Sequence, residues 1–159
     1  MKYISGFIAL LLLVVFAACE DETKTCDQTL LSDVGIVFRK DSLDGFINKD
    51  TIWPKVTVHA IGKDSLIVSS LPRSSVYFSL DPLHDTCQYY LQLDSAAIAD
   101  TLTFLYTRTP HFVSPGCGFA TFSTLDSVIC TFNTIDSVFI NNREVTSDNA
   151  QNVYLYVNY

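Results

Sequence analysis

Two groups of side chains in this 159-residue chain have types and spacings that could do chemistry. Cys117 lies between two glycines in "SPGCGF", six residues after His111. A tight Gly-Cys-Gly turn would expose a thiol, and a base within hydrogen-bond reach, oriented by a third group, would make it a nucleophile. Asp81, His84 and Asp85 share the stretch "DPLHD", a minimal oxygen-and-nitrogen set for a divalent cation. Each group has a plainer reading, and the plainer reading is preferred. An exported chain with other cysteines available oxidises, which makes Cys117 half of a disulfide. Pro82 marks "DPLHD" as a turn. His59, His84 and His111 occur singly, and no G-x-S-x-G, phosphate-binding loop or dinucleotide fingerprint is present. A carboxylate pair for glycoside hydrolysis is defined in space rather than in sequence. The expectation is a chain with no catalytic residue and no metal; a hydrolase ranks last among the readings.

The carboxylates show a pattern of their own. Asp-Ser recurs at Asp41-Ser42, Asp64-Ser65, Asp94-Ser95, Asp126-Ser127 and Asp136-Ser137, and "TLDSVIC" and "TIDSVFI" form a short internal duplication. Calcium loops gather several oxygens in one tight segment, whereas these aspartates are spread one to a connection. Turn and strand-entry chemistry is the expected role, because both side chains hydrogen-bond nearby backbone. Four tyrosines fall opposite the apolar face of their segments: Tyr77, Tyr90, Tyr154 and Tyr156. Aromatics exposed on a sheet are the best ligand-binding candidates in the chain, for a partner protein or for sugars that stack on a ring. The competing reading is that tyrosine simply suits strands.

The N-terminus decides the compartment. Lys2 precedes an unbroken apolar run from Phe7 to Ala18, and Ala17 and Ala18 lead directly into Cys19. A basic start, a short apolar core and small residues before a cleavage point are the layout of a secretory signal. The run falls short of the roughly 20 residues that a membrane-spanning helix needs. The stretch ending in Ala17-Ala18-Cys19 resembles the lipobox of bacterial lipoproteins, although Phe16 stands where Leu or a β-branched residue is usual. That resemblance implies removal of residues 1–18 with their signal helix, and covalent diacylglycerol and an N-acyl chain on Cys19. This lipid is the one group the chain is expected to carry, with no other cofactor. Glu20, Asp21 and Glu22 follow at once. The acidic run resembles a surface-export signal of Bacteroidetes-type bacteria; its plainer role is a solvated tether over residues 19–26. An outer-membrane lipoprotein is expected, on the periplasmic face or the cell surface.

The whole chain carries a net charge of −7, and loss of Lys2 with the leader makes it one unit more negative. Phosphate recognition depends on clustered Lys and Arg, so nucleic acid is excluded as a partner. The expected partners are the membrane, through the anchor, and an envelope protein or glycan. Apart from Cys19, the cysteines are Cys26, Cys87, Cys117 and Cys130. Four in an exported chain point to two disulfides with three connectivities open. Alternation turns both Cys87 and Cys130 toward the apolar side of their segments, where an inter-strand bridge would fit.

The elements that must position these residues are strands. Val34, Ile36 and Phe38 alternate in "DVGIVFRK", and Val56, Val58 and Ala60 do so in "KVTVHAIG". Val76, Phe78 and Leu80, then Leu102, Phe104 and Tyr106, then Val153, Leu155 and Val157 repeat the pattern. Period-two segments rich in β-branched and aromatic residues, recurring about every ten residues, argue for an all-β domain. The expected fold is an antiparallel β-sandwich of roughly seven to nine strands over residues 27–159, immunoglobulin-like in style. A closed β-barrel is the alternative. "DSAAIAD" is the one stretch that suits a turn of helix.

Several stretches resemble a family of small uncharacterised Bacteroidetes cell-envelope lipoproteins: "CDQTLLSDVGIVFRK", "KDSLIV", "DTLTFLYTRTPHFVSPGCGFATF" and "IDSVFINNREV". The likeness spans most of residues 19–159. It implies a secreted, lipid-anchored protein with no assigned activity, and it carries over no functional residue. Cys26 and Cys117 match the family's cysteine positions, which implies that they pair; Cys87 and Cys130 would then form the second bridge.

Overall fold

The computed structural model describes residues 26, 30–40, 49–63 and 65–157. The leader 1–18, Cys19, the acidic run 20–22, Asp41-Ser42 and Asp64 lie outside the described residues. The described chain is all-β, with eleven strands: β1 (Asp33–Lys40), β2 (Lys49–Asp50), β3 (Trp53–Ala60), β4 (Leu66–Arg73), β5 (Ser75–Ser79), β6 (Thr86–Gln92), β7 (Asp100–Ser114), β8 (Gly118–Cys130), β9 (Ser137–Ile140), β10 (Glu144–Val145) and β11 (Gln151–Tyr156). They form two sheets. In the first, β11 lies between β1 and β9, while β2 and β5 both pair with β1. The second runs β10-β8-β7-β6-β3-β4. The sheets remain separate among the described residues, so the architecture is a sandwich and not the barrel held as the alternative.

Alternation located the core correctly. Val34, Ile36, Phe38, Val76, Phe78, Val153 and Leu155 from the first sheet meet Val56, Val58, Leu102, Phe104 and Tyr106 from the second, all of them buried. Phe78 bridges the layers, with ring centroids 4.1 Å from Tyr89 and 5.9 Å from Phe104. Burying these side chains supplies the main driving force for folding, about 1.5–3 kcal/mol for each large one.

Three expectations need correction. The sandwich is not wholly antiparallel, because β1 and β11 pair in parallel. Both strands run away from the same end of the molecule, a relation between distant segments that local pattern cannot register. The strand count exceeds nine because β2 and β10 are only two residues long. "DSAAIAD" forms a hydrogen-bonded turn and no helix: Asp94 accepts from the Ala97 amide through its carbonyl (2.9 Å) and from Ser95 Oγ through its carboxylate (3.2 Å).

The parallel pair contains a bulge that organises the interior. Gly35 aligns with Gln151 and Ile36 with Val153, leaving Asn152 as the extra residue. The bulge turns Asn152 inward, where it is fully buried. Its Oδ1 accepts from the Gly35 amide (3.0 Å), and its Nδ2 donates to the Asn142 and Glu144 carbonyls (3.1 and 2.8 Å). One side chain thus ties β1, β11 and the segment entering β10, across both sheets. A Cβ on Gly35 would collide with the Ala150 carbonyl oxygen and come within 2.7 Å of the Tyr77 ring, so the close approach of these strands requires glycine.

β7 and β8 form the longest element, a hairpin from Asp100 to Cys130. Asp126 is the extra residue where Leu105 pairs with Ser127 and Tyr106 with Leu125. Thr107 Oγ1 donates to its carboxylate at 3.1 Å. Of the other Asp-Ser aspartates, Asp136 stands at the entry to β9, its amide donating to the Tyr156 carbonyl (2.9 Å). Turn, bulge and strand-entry roles therefore account for the described members of the repeat.

Candidate functional site

The four cysteines among the described residues resolve into one bridge and two thiols. Cys26 and Cys117 are disulfide-bonded, with Cα atoms 4.7 Å apart and a separation of 91 positions in sequence. The bridge fastens the segment before β1 to the tip of the β7–β8 hairpin. Its sulfur cannot serve as the nucleophile considered for Cys117, and the nearby His111 lies stacked on Phe122, centroids 4.4 Å apart.

The expected second bridge is absent: Cys87 and Cys130 are free, the first half-buried and the second buried. The strand order gives the reason. Cys87 on β6 pairs with Phe104 on β7, Phe104 pairs with Val128 on β8, and Cys130 lies two residues further along β8. Two strand spacings and a two-residue offset put the cysteines about 12 Å apart, well beyond the roughly 7 Å limit of a disulfide. Both thiols face inward as alternation implied, but β7 stands between them. Burial pushes the Cys130 thiol up to about 11, against the Phe132 amide that bonds its sulfur at 3.5 Å.

Around Cys87 lies a cavity of about 320 Å³, lined by Ile61, Lys63, Asp81, Cys87, Gln88 and Tyr89. Asp81 is its hub. Its Oδ2 takes Lys63 Nζ at 2.7 Å and faces His84 Nδ1 at 3.1 Å, while Oδ1 accepts from the Leu83 amide at 2.9 Å. The Lys63 hydrogen bond leads in holding this carboxyl far below the usual range, followed by the Leu83 amide, against a smaller opposing effect of burial. The Tyr106 and Tyr89 hydroxyls donate to the Asp81 and Ser79 carbonyls (2.8 and 2.6 Å), and burial raises both phenols. Asp85 is taken up separately by Arg108 Nε at 2.6 Å. "DPLHD" is thus an Asx turn whose two aspartates already face cations, and no group of three or more metal-ligating side chains occurs among the described residues.

The tyrosines divide between the two outer faces. Tyr90 lies on the six-stranded sheet, stacked on His59 of β3 at 4.6 Å. Tyr77, Tyr154 and Tyr156 lie on the five-stranded sheet. Tyr77 rests over Gly35. Arg39 places its guanidinium carbon 3.4 Å from the Tyr154 ring centroid, bonds the Tyr156 side chain, and pairs with Asp50 at 3.0 Å. On the other flank, Phe139 of β9 stacks on Tyr154 at 6.2 Å and 17°. Because β11 lies between β1 and β9, Tyr154 is approached from both sides. The exposed end of this row is Phe139, 54% accessible, which the tyrosine-centred reading missed. Its signal was present in the alternation of "SVFI" against half-buried Val138 and Ile140.

A family model described as a family of unknown function (DUF6452) matches residues 55–157, from within β3 through β11. The chain belongs to that family. No curated protein and no solved structure matches it.

Proposed function

We propose that this chain is a non-enzymatic cell-envelope module of the Bacteroidetes lipoprotein type, exported and held at the outer membrane by lipid on Cys19. The observation that carries the reading is the Cys26–Cys117 bridge, seven residues beyond Cys19. Such bonds persist in oxidising compartments and are rare in a reducing cytosol. Two inward thiols in the same chain do not argue otherwise, since β7 keeps them apart. Binding or scaffolding suits the described surface better than catalysis: Asp81 and Asp85 are each paired with a cation, and Cys117 is spent in the bridge. The row Arg39–Tyr154–Phe139 on the five-stranded sheet is the surface on which a partner protein would dock.

Fractionation of cells producing Cys19→Ser tests the anchor. The variant moves from salt-washed membranes to the soluble fraction, whereas full retention in the membrane overturns the reading. A glycan-binding accessory role is the second reading, favoured by the exposed Phe139 ring. Phe139→Ala then abolishes retention on immobilised polysaccharide while Tyr90→Ala does not.

A further inference from the structure

We infer that the tip of the β7–β8 hairpin is a membrane-contacting surface that rests on the bilayer beside the anchor. The inference deepens the proposed lipid attachment and rests on it. Phe112 and Phe119 face each other across the tip, centroids 5.4 Å apart, and are 53% and 67% exposed. Leu30 and Leu31, also exposed, line with Phe119 and Ala120 a depression of about 260 Å³. Ser32 holds that strap to the hairpin through the Thr121 carbonyl at 2.9 Å. Leu83, 76% exposed, sits in the neighbouring turn, which Arg108 fastens to the hairpin through the Pro82 carbonyl (2.8 Å) and Asp85. Exposed apolar side chains gathered in this way mark a contact surface, because soluble domains seldom leave them contiguous.

Charge and chain length select a lipid surface as the occupant. Residues 101–125 contain no Asp or Glu, although the chain has 17 of them and a net charge of −7. The hairpin tip therefore brings no carboxylate of its own to anionic headgroups, and the aspartates of the neighbouring turn are paired with Lys63 and Arg108. Seven residues separate Cys26 from Cys19, a reach of at most about 25 Å. The 13-residue strand β8 alone runs about 44 Å. An acylated Cys19 seated in the bilayer thus keeps the disulfide, and with it the Phe112–Phe119 pair, close to the headgroups. The far end, with Asp100 and Cys130, points away. Aromatic and leucine side chains at the headgroup boundary bury apolar area without spanning the membrane.

The test uses the full acylated protein in vesicles of phosphatidylethanolamine and phosphatidylglycerol with dibrominated acyl chains. Phe112→Trp, Phe119→Trp and, as a control on the five-stranded sheet, Phe139→Trp are compared with the native protein, whose Trp53 is buried. The tip tryptophans lose emission to the brominated chains, shift to the blue and resist aqueous iodide; the Phe139→Trp signal does none of these. Mass spectrometry of the same sample reads the acyl chain on Cys19. An acylated protein whose tip tryptophans stay open to iodide overturns the docking and leaves the anchor standing. An unacylated protein overturns the anchor and the docking with it. Shielding that needs no lipid and grows with protein concentration assigns the tip to contact between copies, and also overturns the inference.

Discussion

Among single residues, Asp100 gathers four hydrogen bonds on one carboxylate. Its buried carboxylate accepts from Thr131 Oγ1 (2.7 Å) and from the amides of Asn133, Thr134 and Ile135 (2.6, 2.9 and 3.0 Å), fixing the crossing from β8 to β9. Burial raises its pKa, but these bonds together outweigh burial and hold it below the usual value. A depressed folded pKa gives stability that is complete above the unfolded value of about 3.9 and is lost as pH falls through the folded one. Asp100→Ala should lower unfolding free energy at pH 7 by about 3 kcal/mol, read by urea titration. For Asp100→Asn the deficit against the native protein should shrink below pH 4; a deficit constant down to pH 2 would refute the charge-based account. The thiols give a second prediction at this scale. In the native state a maleimide should label half-buried Cys87 well before Cys130, whose burial keeps the thiolate scarce, and both should react in denaturant.

Elements show where sequence reasoning succeeds and where it stops. Every residue expected inward on β1, β3, β5, β7 and β11 is buried, because a period-two pattern records one covered face directly. Strand order leaves no such local trace. Cys87 and Cys130 share an inward face but have β7 between them, and the parallel β1–β11 pair joins the two ends of the domain. Phe132, two residues after Cys130, lies beyond the end of β8 at positive φ, 54% exposed. The Arg39–Tyr154–Phe139 row was half legible: the outward tyrosine could be read, but the residues enclosing it sit on strands far away in sequence. The bulge at Asn152 was invisible, since asparagine ordinarily reads as a surface residue. Asn152→Ala should cost about 2–3 kcal/mol, because it strands the Gly35 amide and two carbonyls inside the sandwich. Gly35→Ala should be worse tolerated than Gly62→Ala in thermal melts, as its Cβ meets backbone while Gly62 has open space around it.

At the scale of the whole molecule, the Cys26–Cys117 bridge fastens the segment before β1 to the hairpin tip. Closing a loop of about 90 residues stabilises by roughly 4–5 kcal/mol in the chain-entropy picture. Cys26→Ser should therefore lower the melting temperature by about 15 °C in a domain of this size. It should also loosen the hairpin tip from the N-terminal segment while leaving the two sheets intact, as judged by far-ultraviolet circular dichroism. In the proposed docking, with the tip toward the bilayer, the acidic remainder and the Phe139 row would face the surrounding envelope. The most direct measurement is intact mass spectrometry of the protein extracted from membranes without reductant. The account predicts a mature chain that begins at acylated Cys19, contains the Cys26–Cys117 bond and keeps thiols at Cys87 and Cys130. A retained leader, an unmodified Cys19 or reduced Cys26 and Cys117 would contradict it.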